Sequence, residues 1–239
     1  MSKLLAKAGA EGVELLSKES ESFLTAVLGE PAKAFAGLLA DKINARRHAN
    51  LVKISVAANR KLAEFGISQQ QVPLKIIHPM LEAASLEEDS DLQALWAQLL
   101  ASAAAHKSSY SSHPAFIQTL RQMSKEEAVF FSALYDRVET AFKEWIEMPL
   151  ESRPRHSPLD RLGGFEELGD FFVEGNGKNG KQDEGVADES LEVMVGIDNV
   201  VRLGLIKPPF PGRTDYSLPA FGSLFAETCR GPSNQPKAK

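Results

Sequence analysis

Glu87, Glu88, Asp89 and Asp91 put four carboxylates into five positions, directly ahead of the apolar run "LQALWAQLLASA". Hard divalent cations are held by carboxylate oxygens, so this cluster is the first place to look for metal chemistry. A metal also needs ligands that converge from more than one direction, and no matched His or Cys stands nearby. The same residues have a simpler use. Leu92, Leu95, Trp96, Leu99, Leu100 and Ala103 recur at helical spacing. Asp89 or Ser90 can cap that helix, a side-chain oxygen accepting an orphan backbone N–H. The acids then face the positive end of the helix dipole, a position worth about 0.3–1 kcal/mol each. The spacing predicts that the acids start a helix and hold no metal.

Other candidates for chemistry fare similarly. "GNGKNG" at 175–180 matches G-x-G-x-x-G, but a dinucleotide site needs a strand before it and a helix opening at it. An acid- and Gly-rich run follows instead, and Gln182 stands after Lys181 where a P-loop needs Ser or Thr. His78 and Glu82 are four apart, with Pro79 between them, and His106 and His113 flank a loop. No His-x-x-x-His or Cys-x-x-Cys pair accompanies them. Cys229 falls on an apolar helix face, where cysteine behaves as a small hydrophobe. The serines of "HKSSYSSHP" lack a strand–Gly-x-Ser-x-Gly–helix setting. The reading is a protein with no catalytic set, no metal, no cofactor and no small-molecule substrate.

The elements that must carry these residues are helices. Ile43, Leu51, Ile54, Ala58, Leu62 and Phe65 form a stripe that Gly66 can terminate. "VPLKIIHPMLEAAS" opens near Pro73, and Pro79 inside it should kink or restart that helix. "HPAFIQTLRQM" starts at Pro114, and Ser124 with Glu127 three later is a capping box for "SKEEAVFFSALYDRVETAFKEWIE". The fold class is therefore mainly α, with a multi-helix N-terminal body over 1–123. Residues 124–230 read as a winged-helix-like unit: a helix ending near Gly204, a short β-hairpin with a "KPPFPGR" tip, and a last helix from Pro219 to Cys229. Within that unit 149–189 is rich in Pro, Gly and acids and buries too little apolar area to order itself, so it is expected to be a flexible insertion, with "LDRLGGFEELGDFF" inside it as a candidate short docked piece. Residues 231–239 read as a disordered tail.

The chain has 239 residues, 43% hydrophobic and 25% charged, which is globular composition, and a net charge of −5. One cysteine permits no internal disulfide, so a reducing cytoplasm is the expected setting. Against the acidic total, Lys42, Arg46, Arg47, Lys53, Arg60 and Lys61 span twenty positions without one acid. Such a face suits an anionic partner, either nucleic acid or anionic lipid. A solvated helix flank paired with carboxylates elsewhere is the alternative use of the same residues. The expected recognition helix of the wing carries Asp188, Glu189, Glu192 and Asp198 against Arg202, the wrong sign for a DNA groove. The segment Phe23 to Ala40 is apolar and rich in small residues. Phe23, Leu24, Val27, Leu28, Phe35, Leu38 and Leu39 there form a candidate association surface, for self-association, a protein partner or a membrane surface. Glu30, Pro31 and Lys33 interrupt it, which argues against a transmembrane helix.

The tracts "GLLADKINARRHANLVKI", "VPLKIIHPMLEAASLEEDSDLQALWAQLLASA", "HPAFIQTLRQMSKEEA" and "NVVRLGLI…YSLPAFGSLFAETC" together resemble the abortive-infection alpha family. These are bacterial proteins linked to defence against phage. The most specific part is Leu92, Trp96, Ala97, Leu99, Leu100 and Ala101, which match the family's Leu-x-x-x-Trp-Ala-x-Leu-Leu-Ala pattern. The resemblance covers about residues 35–230, the insertion aside. It implies a fold and a phage-defence setting and supplies no active site. The functional expectation is a non-enzymatic defence protein acting by association, at a membrane surface or in the cytoplasm. The alternative is a nucleic-acid-binding regulator that uses the 42–61 face or the winged helix.

Overall fold

The computed structural model describes residues 18–29, 42–105, 112–175, 186–209, 211 and 215–229. Phe35, Leu38 and Leu39, most of the "GNGKNG" run and the 231–239 tail lie outside the described residues. The chain is mainly helical and divides into two compact units, Met1–Gln122 with Glu227–Lys239, and Met123–Ala226.

The first unit holds α1 (18–28), α2 (Lys42–Glu64), α3 (Leu74–Ala84), α4 (Ser90–Ala105) and α5 (His113–Gln122). The carboxylate cluster starts α4 as its spacing predicts. Asp89 Oδ1 accepts from the N–H groups of Asp91 at 2.9 Å and Leu92 at 3.2 Å. Glu87 Oε1 in turn accepts from Asp89 N at 3.0 Å. Two first-turn donors that have no intrahelical partner are thereby satisfied. Once started, α4 is buried on more than the one stripe visible in the sequence. Trp96, Leu99 and Leu100 are buried, and so are Ala97, Ala101 and Ala104 on another side. Alanine lets a neighbouring helix approach closely from that second side, so α4 runs through the middle of the unit.

α2 packs along α4 with Leu51, Ile54, Ala58 and Leu62 buried. It ends at Gly66, whose φ of 66° most side chains avoid. Gly66 N donates to Ala63 O at 3.0 Å and Ile67 N to Leu62 O at 2.9 Å, the paired bonds of a Schellman end. α3 continues through Pro79 as one helix rather than restarting there. Proline removes the bond to the Lys75 carbonyl, but Lys75 is exposed and that oxygen can turn to water.

The second unit holds α6 (Lys125–Glu147), a 3-10 turn (Pro158–Asp160), α7 (Phe165–Gly175), α8 (Val186–Arg202) and the start of α9 (Ala220–Cys229). The capping box forms: Glu127 N donates to Ser124 Oγ at 3.2 Å, and Ser124 N donates to Glu127 Oε2 at 3.0 Å. Glu127 is buried, and Asn199 Nδ2 from α8 donates to its other oxygen at 2.8 Å. That bond ties the foot of α6 to α8. Phe130 meets Phe172 of α7 at 5.2 Å, and Phe131 meets Phe225 of α9 at 5.8 Å, both tilted. On α8, Val193, Ile197 and Val200 are buried, and Met194 and Val195 are exposed.

One expectation for this unit changes. The hairpin is reduced to one isolated antiparallel bridge between Lys207 and Ser217, with no strand among the described residues. Pro208, Pro209 and Pro211 carry no N–H to extend a ladder toward the tip. Residues 215–218 also pair in another direction. Leu162 N donates to Tyr216 O, Tyr216 N to Gly163 O and Leu218 N to Leu159 O, at 2.8–2.9 Å. Arg161 Nε reinforces this at 3.0 Å from Asp215. A helix-wing-helix arrangement is therefore not supported. Within the expected insertion the "LDRLGGFEELGDFF" stretch enters α7 and buries Leu168 and Phe172, while 176–185 lie outside the described residues.

Candidate functional site

Of the six cations, α2 aligns four and sets two aside. Successive residues of a helix advance by about 100° and 1.5 Å, so positions seven apart nearly eclipse, about 10 Å along the axis. Arg46, Lys53 and Arg60 have that spacing, and Lys42 stands one turn ahead of Arg46. Between Arg46, Lys53 and Arg60 this face carries Ala49 and Ala57, and the exposed Glu64 follows Arg60 by one turn.

Arg46 Nη1 lies 3.7 Å from Glu88 Oε1, with the two side chains 82% and 67% exposed. Arg60 Nη2 is 4.0 Å from Glu19 Oε2, at 62% and 32% exposure. Ion pairs this long and this wet contribute little and release their partners readily. Lys53 is exposed and has no ion-pair partner among the described residues. Lys61 is half-buried and stands to one side of the line.

Arg47 is used differently. Its Nε donates to Ser85 Oγ at 2.9 Å, in the corner between α3 and α4. Asn50 Nδ2 reaches Ser85 O at 3.1 Å, and Gln93 Nε2 bridges Asn50 Oδ1 and Glu87 O at 3.3 and 2.8 Å. Arg47 therefore fastens the acidic corner to α2 and does not join the exposed line.

Four residues of the expected association surface, Phe23, Leu24, Val27 and Leu28, fall among the described residues. Phe23, Val27 and Leu28 are 2%, 0% and 3% exposed, and Leu24 is half-buried. α1 lies on α2 through a buried Ser20–Ser55 hydroxyl pair at 2.6 Å, and Val72 N donates to Val27 O at 3.0 Å. These side chains fill the first unit's own core. Sequence reading missed the apolar side chains that are exposed at the end of α6, Ile146, Met148 and Leu150. The stripe of α6 continues into its last turns, and nothing local signals that the buried positions stop at Val138.

Among the described residues no group of three or more His, Cys, Asp or Glu could hold a metal. His78 and Glu82 are both exposed, and His113 is buried at the start of α5 with its ring 6.3 Å from Phe116. No helix of the described residues is long and apolar enough to cross a membrane.

The sequence model of a family described as abortive infection alpha matches residues 46–229, from the line of cations on α2 to the end of α9. The chain belongs to the abortive infection alpha family. Membership links it to abortive infection, a defence against phage. The matched range takes in the central Trp96 helix and the whole second unit; α1 and the first turn of α2 precede it. No curated protein and no solved structure gives a significant match to this abortive infection alpha chain.

Proposed function

We propose that the protein is a non-enzymatic abortive-infection factor that acts by association in the cytoplasm, with the α2 line as its contact for a phosphate-rich partner. The observation that carries this reading is the alignment of Arg46, Lys53 and Arg60 on one exposed face whose carboxylate partners are distant and solvated. Cations held about 10 Å apart on a rigid helix are suited to exchange condensed counterions of a nucleic-acid backbone.

A membrane surface is the weaker reading of the same face. Interfacial helices carry large apolar side chains beside their cations, and here only alanines stand between them. The contact is sequence-independent, because phosphate contacts position a protein without reading bases.

The test is binding of the full chain to a labelled duplex and to vesicles with and without phosphatidylserine, across 50–200 mM salt. Duplex binding should weaken about 40-fold over that range, for three phosphates engaged. Salt-independent binding, or none, removes the reading. Binding confined to phosphatidylserine vesicles would move the partner to the membrane.

A further inference from the structure

The three cations of the α2 line differ in what a phosphate must displace to reach them. Lys53, in the middle, has no ion-pair partner among the described residues. Glu88, beside Arg46, stands in the turn ahead of α4 with its side chain 67% exposed, so water and salt compete for it readily. Glu19, beside Arg60, is only 32% exposed.

Glu19 is also built into its place. Its Oε1 accepts from Asn59 Nδ2 at 3.0 Å, and Asn59 Oδ1 in turn accepts from Gln69 Nε2. Asn59 immediately precedes Arg60 on α2, and the other oxygen, Oε2, lies 4.0 Å from the Arg60 guanidinium. The backbone beneath is seated as well. Ser20 is bonded to Ser55 at 2.6 Å, and Phe23, Val27 and Leu28 are buried. Exposed ion pairs are weak partly because two long side chains must give up their freedom to meet. Here the fold has already ordered the acid, so Glu19 competes for Arg60 at less entropic cost than Glu88 does for Arg46. Glu64, exposed one turn past Arg60, adds a second acid at this end.

We infer that Glu19 is an intramolecular competitor for the Arg60 end of the line, through which α1 lowers the chain's affinity for its phosphate-rich partner. The inference rests on the reading of the α2 line as a phosphate contact. A phosphate reaching Arg60 shares the guanidinium with Glu19 or displaces it, and in both cases meets a fixed negative charge. Contact therefore starts at the Arg46–Lys53 half, and Arg60 joins at a cost. A nucleic-acid backbone offsets that cost by releasing condensed counterions. The scattered carboxylates of an acidic protein surface release none, and exchanging one carboxylate for another gains nothing.

Glu19→Gln in the full chain tests this. The amide keeps an oxygen for Asn59 and loses the charge, so the melting temperature stays and the affinity for a labelled duplex at 150 mM salt rises about threefold. Glu21→Gln removes the same charge from the same helix, but from an exposed position about 200° round the axis, and should leave the affinity unchanged. In an Arg60→Gln chain, Glu19→Gln should gain nothing, because the group it competes for is gone. A duplex bound by the unaltered chain and no more tightly by Glu19→Gln overturns the inference and leaves the α2 reading standing. An equal gain from Glu21→Gln, or a gain that survives Arg60→Gln, overturns it too. A duplex bound by neither the unaltered chain nor Glu19→Gln removes both.

Discussion

Lys53 and Arg47 stand six residues apart on α2, and alanine at each position should give opposite results. Lys53 is exposed, with no ion-pair partner among the described residues, so its removal leaves stability within about 0.5 kcal/mol. It does remove one phosphate contact from three. The slope of log affinity against log salt then falls from about −2.7 to about −1.8, and the loss between 50 and 200 mM salt falls from about 40-fold to about 12-fold. Arg47→Ala removes the 2.9 Å bond to Ser85 and loosens the α3–α4 corner. A half-buried, charge-assisted hydrogen bond contributes about 1–2 kcal/mol, which lowers the melting temperature by roughly 5 °C. Its effect on the salt slope should be nil. Fluorescence anisotropy with a labelled duplex, run beside thermal melts, measures both quantities on both variants. Equal slopes for Lys53→Ala and the unaltered chain, or a lowered slope for Arg47→Ala with no change in melting, would refute the assignment of the two side chains.

Two further perturbations test the fold beneath the site. Asp89→Ala removes the acceptor for two first-turn N–H groups of α4 and should destabilise the chain by about 1 kcal/mol, read by denaturant midpoint; Asp89→Asn should recover most of it. Burial and then the Asp198 carboxylate raise the pKa of Tyr216 above 10.0. The folded state therefore keeps this proton longer than the unfolded state does. The contribution is complete below about pH 10 and is lost as pH rises from there through the raised pKa. Tyr216→Phe should flatten the alkaline side of the stability profile, and an unchanged profile would contradict the assignment.

What the sequence makes legible is chemistry settled within a few residues. The Asp89 cap, the Ser124–Glu127 box and the Gly66 end all depend on bonds spanning two to five positions, and each formed as the spacing requires. What it hides depends on distant partners. Phe23, Val27 and Leu28 look like a surface until α2, about thirty residues on, covers them. Residues 215–218 look like half a hairpin, yet they also pair with 159–163, more than fifty positions upstream. Alanines conceal the second buried side of α4, because a small side chain registers weakly in any hydropathy pattern. The line of cations follows from helical register, which already sets Arg47 about 100° round from Arg46. What the sequence hides is Arg47's bond to Ser85, 38 positions on.

Three phosphate contacts alone make a weak bond at physiological salt, and the chain's net charge of −5 opposes approach from most directions. Screening confines that repulsion to about 8–10 Å, so a polyanion meets the α2 line only when correctly turned.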